Sequence, residues 1–575
     1  MKGAVRAVDP ITTEVIHNFL TSCANDMNAA LFRSAYTPII YEGRDCAVAL
    51  MDREANPLGQ STGVPLFLCN LEVCVRHALE HHGLDWFEPG DVVIMNDPYI
   101  QGTHLHDVTV FGPIFYEEQL VGFAASRAHW QDVGGKDIGS TMRSVDVYQE
   151  GFRLAPTKVV SRYQPDPQWM DFLRRNSRLG YELIGDLDAQ IAACRTGEER
   201  VRQMLDRVGL EVFEAAKEKI FEQAAERHRA AVAALPDGVY RAEGELDNDG
   251  VGSDPVRVAV EVTIEGERFA VDLTGTAPPQ LGPVNCGYAQ AVSAIQLAYK
   301  SLIRPDMAVT GGTFDPLEVT IPDHCCFNAR EPVACEWYFT GLGLLITLII
   351  SAVGEALGED AVCPDYGDSM VITIAGERPD RSFWVSSEPT AGGWGAHGRD
   401  DGESALISLA NGAFKNIPVE VYESKYPVQI DEFAIRTDSG GPGRLRGGCG
   451  VRRTYRLLED ASLSLWLERS RTPAWGLAGG SAGAGPDCQT DGPAGHWQGL
   501  KVNRLELPAQ TVITLQTGGG GGFGDPLQRD PERVCEDVRR GLVSARAARE
   551  RYGVALDPHT LEVEPGETER LRGIG

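Results

Sequence analysis

Near the N-terminus the apolar positions Val15, Ile16, Phe19, Leu20, Met27 and Leu31 recur at helical intervals, and Asp9-Pro10 reads as the start signal of that helix. A strand pattern follows at 46–51 and a second helix at 71–81. The turn at 88–91 then leads into the wholly apolar strand 92–95, and another strand is expected at 120–125. Residues 198–235, rich in Ala, Glu, Arg and Lys, predict long charged helices. From 238 to 274 apolar and polar positions alternate between Gly/Asp turns, which predicts β-strands, and 427–467 reads the same way. Beyond 525 the pattern returns to helix. The fold class expected is mixed α/β, multi-lobed, with an α/β N-terminal region, a central buried helix and β-rich middle and C-terminal regions. Divided by pattern, the chain reads as 1–235, a β-rich insert 236–300, an α/β region 301–426, a β-rich region 427–524 and a helical tail 525–575.

Residues 339–353 (FTGLGLLITLIISAV) are almost continuously apolar, but shorter than the roughly 20 residues a bilayer requires, and Glu336 and Glu355 bracket them. They predict a helix buried on all sides. Composition narrows the partners. With 53 Lys+Arg against 82 Asp+Glu, the net charge of −29 disfavours nucleic acid and anionic membrane surfaces. Residues 1–10 carry no apolar signal-peptide core, and thirteen cysteines without a CxxC pair fit reduced, buried thiols, so the expected location is cytoplasmic.

The densest chemistry is in NDPYIQGTHLHD, residues 96–107, with two carboxylates and two imidazoles directly after a buried strand. In an extended segment His104 and His106 project to one face, and Asp107 adjoins them. A second cluster, RAHWQD at 127–132, again follows a strand and offers His129 and Asp132. Asp45 stands at the entrance to a third strand. Two His and one Asp form a usual donor set for Zn²⁺ or Mn²⁺. On spacing alone His104 and His106 are equivalent. The glycine run GGGGGFGDP lacks the Lys-Ser/Thr of a phosphate loop and reads as a tight loop, and no ATP motif, GxSxG elbow or cysteine-protease signature is present.

DPITTEVIHN, GRDCAVAL, PGDVVIMNDPYIQGTHLHDVTV, SRAHWQDVGG, VYQEGFRLAPTK, GDLDAQIAA, FKNIPVEVYESKYP, RTDSGGPGRLRGGCGVRR and GGGGGFGDP, in this order, resemble the hydantoinase B family over nearly the whole chain. The resemblance implies a two-component enzyme. A hydantoinase A type, actin-like ATPase partner would bind ATP and phosphorylate the substrate, and this chain would carry a divalent metal, Zn or Mn, in a hetero-oligomer such as a dimer of heterodimers. It implies Asp45, His104 and His129 as metal ligands, favouring His104 over His106. Beside such an ion, Asp107 or Asp132 is expected as the catalytic carboxylate that accepts a proton or orients an imidazole. The reaction implied is hydrolysis of a hydantoin or lactam. Carboxylation of a ketone is the alternative, and a non-catalytic scaffold the third reading. Two departures from the family pattern stand out. Trp130 and Gln131 replace the commoner His-Ala, which places an indole beside the site and suggests a more apolar substrate. SLANGAFKN, at 408–416, replaces the familiar HMTN segment.

Overall fold

The computed structural model describes residues 8–573; residues 1–7, which bear on the signal-peptide expectation, lie outside that range. The expected class is found: helices and several sheets are interspersed along the chain. The chain divides into two compact units. The first comprises residues 1–239, 261–338 and 412–417, and the second comprises 240–260, 339–411 and 418–575.

The first unit is built on a seven-stranded antiparallel sheet: β1 (Cys46–Asp52), β2 (Pro57–Gln60), β3 (Val92–Met95), β4 (Asp107–Tyr116), β5 (Gln119–His129), β6 (Thr157–Ser161) and β7 (Gln164–Pro165), in the order β2-β1-β5-β4-β3-β6-β7. The hairpin β4–β5 forms its centre. Its loop is the two residues Glu117 and Glu118, both at positive φ (47° and 65°), the twist that a two-residue hairpin turn demands. With that turn fixed and a bulge at Ile114/Phe115, Asp107 pairs directly with His129 at the far end. The helices Pro10–Ser34 and Gly180–Val208 pack together, and the second covers β4 and β5.

The second helix starts eighteen residues before the predicted 198, and two glycines obscured it. Within the helix Gly185 and Gly197 are contact points, not breaks: a Cβ at Gly185 would lie 2.4 Å from the Tyr36 ring, and one at Gly197 2.6 Å from the Met27 sulfur. Asp186, on the same helix, accepts hydrogen bonds from the Tyr36 and Thr37 amides and the Thr37 hydroxyl.

In the second unit the expected apolar helix spans Tyr338–Leu357, with its first residue still in the first unit. Leu342, Leu344, Leu345, Leu348, Ile349 and Val353 are buried along it, and no helix among the described residues is long and apolar enough to cross a membrane. The unit also holds a four-stranded and a five-stranded sheet drawn mainly from residues 371–516. The glycine run 518–522 is a buried ribbon against which other backbone packs directly, and a Cβ at Gly520 would lie 2.0 Å from the Trp394 carbonyl oxygen. All thirteen cysteines are free and buried.

Candidate metal centre

Strand geometry assembles the site. Asp107 opens β4 and His129 closes β5, so both stand at the same end of the central hairpin and face each other across it. Residues 104–106 are not extended, as the sequence pattern suggested. They form a turn, closed by the Asp107 amide donating to the His104 carbonyl (3.2 Å), and the turn separates the two histidines' roles.

His104 Nε2 lies 3.1 Å from Asp107 Oδ1 and 3.2 Å from His129 Nδ1, and the last two are 3.4 Å apart. These three buried donors form a group able to hold a metal ion. The fit is chemical as well as spatial. A Zn–N bond of about 2.0–2.1 Å puts neighbouring tetrahedral donors roughly 3.3–3.4 Å apart. His104 Nδ1 faces the Glu336 carbonyl at 3.0 Å, so it carries the proton in the neutral ring and leaves the Nε2 lone pair for the cluster. Tyr338 donates its hydroxyl to Asp107 Oδ2 at 2.7 Å, which leaves Oδ1 to the imidazoles.

The electrostatics match a cation site. Burial opposes a charge on His104, but Asp107 and Glu336 outweigh it and raise the imidazole to about 9. Burial likewise opposes ionisation of Asp107, yet His104 and His129 hold its carboxyl well below the usual range. Burial, with Asp107 adding to it, pushes the Tyr338 phenol far up and keeps it a donor. Glu336, pushed up to about 8 by burial against the pull of His104, sits 3.4 Å from His106 Nε2. His106 Nδ1–H donates to the Trp130 carbonyl at 2.6 Å.

Both nitrogens of His106 therefore face protein groups, the Trp130 carbonyl and the Glu336 carboxyl. His106→Gln is expected to leave the metal stoichiometry unchanged while lowering stability by about 1–3 kcal/mol, the cost of unpaired buried groups. Metal analysis beside thermal unfolding checks this, and loss of metal with unchanged stability would make His106 the ligand.

Two further carboxylates complete the frame. Glu150 accepts from the amides of Cys335 and Glu336 (both 3.0 Å) and from the Ser144 hydroxyl (2.6 Å), fixing the backbone that receives His104. Glu336 itself is legible in the sequence only as a charge flanking the apolar helix.

Among the other sequence candidates, Asp45 adjoins the site without joining the close group of three. Its carbonyl receives the His129 amide (3.1 Å), and burial raises its carboxyl to about 6, with His129 opposing. Asp132 is engaged elsewhere: Arg178 Nη1 donates to Oδ1 (2.6 Å), and the Arg178 amide and Ser177 hydroxyl donate to Oδ2. Asp132→Asn is accordingly expected to cost about 1–3 kcal/mol in unfolding free energy and to spare metal content. Metal loss without destabilisation would restore it to the centre. Trp130 follows the last residue of β5, and its amide donates to the His106 carbonyl (2.8 Å). It is 1% exposed, and its indole donates to Gln190 of the helix Gly180–Val208 (2.9 Å), so it does not shape a substrate pocket as the sequence suggested.

The chain is 30% identical to the B component of a putative D-/L-hydantoinase from a Pseudomonas species (strain NS671), over 99% of both chains. It is similar to the crystal structure of the ATP-dependent caprolactamase of Pseudomonas jessenii, at a TM-score of 0.89 and 28% identity, covering 99% of this chain and 100% of that one. It also shares its fold with a chain of nucleotide-free acetone carboxylase, at a TM-score of 0.90 and 20% identity, covering 98% and 83%. The hydantoinase B/oxoprolinase profile matches residues 9–526, and with nearly the whole chain so matched, the protein belongs to the hydantoinase B/oxoprolinase family.

Proposed function

We propose that this chain is the metal-bearing subunit of an ATP-dependent, two-component enzyme that hydrolyses a cyclic amide, a lactam or hydantoin. The observation that carries the reading is the convergence of His104 Nε2, His129 Nδ1 and Asp107 Oδ1 within 3.4 Å of one another. In this reading those three hold a divalent cation, Zn or Mn, and Asp45 completes the donor set. When bound, such an ion supplies Lewis acidity, which polarises an oxygen and eases deprotonation of water. Asp107 is thus a ligand rather than a proton acceptor, while Tyr338 and the Glu336 carbonyl orient the donors and Glu150 holds the carbonyl in place. Asp132 stabilises the loop that follows β5.

An amide resists water because resonance strengthens its C–N bond. Phosphorylation of the amide oxygen removes that resonance and provides a leaving group. This chain carries no ATP motif, a relative is named as one component of a larger enzyme, and the caprolactamase it resembles is ATP-dependent. ATP is therefore assigned to a hydantoinase A type partner in a hetero-oligomer. The reconstituted complex is expected to couple ATP hydrolysis to ring opening of a lactam or hydantoin without consuming bicarbonate. Strict consumption of bicarbonate would replace this reading with ketone carboxylation, and metal-free protein that keeps full activity would end it.

A further inference from the structure

Outside the metal centre, the first unit holds a cleft of about 470 Å³ between the helices Leu71–His82 and Tyr288–Leu302 and the turn Pro98–Gln101. Its charged lining is uncommon in one respect. Glu72, Arg76 and Glu80 follow at successive helical turns and line the cleft together with His77, and among the described residues neither Glu72 nor Arg76 forms a hydrogen bond or close ion pair. Gln296, from the facing helix, has a buried amide oxygen without a hydrogen-bond partner. Tyr99 and Tyr288 add aromatic surface.

A simple anion here would meet Arg76 but also Glu72 and Glu80. A simple cation would meet the two carboxylates but also Arg76. A ligand bearing both charges satisfies each: its ammonium on Glu72 and the Gln296 oxygen, with the tyrosine faces beside it, and its carboxylate on Arg76. We propose that this cleft is a binding site for a small zwitterion, an amino acid with separated amine and carboxylate. The choice of ligand rests on the cyclic-amide reading, since adding water across a ring C–N bond leaves an amine and an acid on one molecule. The cleft also has a physical link to the metal centre. The Tyr99 hydroxyl donates to the Val333 carbonyl (2.7 Å), in the strap that leads to Glu336 and Tyr338.

Calorimetric titration of the full chain with 6-aminohexanoate tests the proposal. Hexanoate and hexylamine serve as single-charge controls at pH 8, where Glu72, pushed up to about 7 by burial against the pull of Arg76, is ionised. The zwitterion is expected to bind at one site, at least about tenfold more tightly than either control, and to lose at least about tenfold in E72Q and in R76Q while H129A retains it. Absence of saturable binding, equal binding of a control, indifference to E72Q and R76Q, or loss in H129A would each overturn it. Lactam turnover by the complex is scored separately. Binding without turnover removes only the cyclic-amide reading, and turnover without binding removes only the second site.

Discussion

His129→Ala is expected to abolish metal binding and turnover together. Three donors at mutual distances of 3.1–3.4 Å leave little freedom for a substitute ligand, and His129 Nδ1 is one corner of that triangle. Loss of an outer partner typically costs about 10–100-fold in metal affinity or activity, and loss of a donor itself costs more, so turnover should fall below about one-hundredth of the parent. The imidazole is 7% exposed and ends a strand, so its truncation should leave the sheet intact. Elemental analysis, steady-state assay and thermal unfolding on one preparation separate the outcomes. A folded variant that keeps both metal and full activity would sink the assignment.

Asp107→Asn is the second large effect, because it removes the charge around which the other donors are arranged while preserving side-chain size. Metal affinity is expected to drop at least as far as the 100-fold end of the range for ligand-orienting changes. The metal-free protein should respond in a pH-dependent way. His104 has a folded value of about 9 against roughly 6.5 when unfolded, so its pairing with Asp107 stabilises the fold fully below about pH 6.5 and is lost as pH rises through 9. Asp107 is shifted the other way, so its contribution is present above about pH 4 and is lost as pH falls through its depressed folded value. The parent should therefore exceed the Asn variant in stability most clearly between about pH 4 and 6.5, with the gap closing towards pH 9. In the parent, a cation must displace the proton on His104, so metal affinity should rise with pH up to about 9. A pH-independent stability difference would show that the pair does not titrate as described.

Much of the centre was legible because strand ends in a buried sheet announce themselves: an apolar run followed at once by His and Asp. What escaped had physical causes. Strand β4 is buried over eight of its ten residues on both faces, so it lacks the alternation by which a half-exposed strand is recognised. His104 and His106 looked alike because sequence does not show a turn between them, nor the two protein partners that occupy His106. Glu336 and Tyr338 reach the site from more than 200 residues downstream through packing alone. Trp130 was misplaced because the sequence does not show Gln190, sixty residues on, taking up its indole.

The turn Glu117-Glu118 has a role its position does not suggest. Strand β4 places it about 30 Å from the Asp107–His129 pair, at roughly 3.3 Å per residue, yet it sets the count by which those two residues meet. One residue gained or lost at the tip would slide β5 along β4 and turn His129 to the helix side. The hairpin thus behaves as a ruler whose zero mark lies at the exposed end. In a library of loop-length variants, metal content should be lost by single insertions at this tip more readily than by substitutions there. The same count gives an engineering handle: an Asn-Gly turn, which relieves two non-glycine residues at positive φ, should stiffen the scaffold without altering the donors.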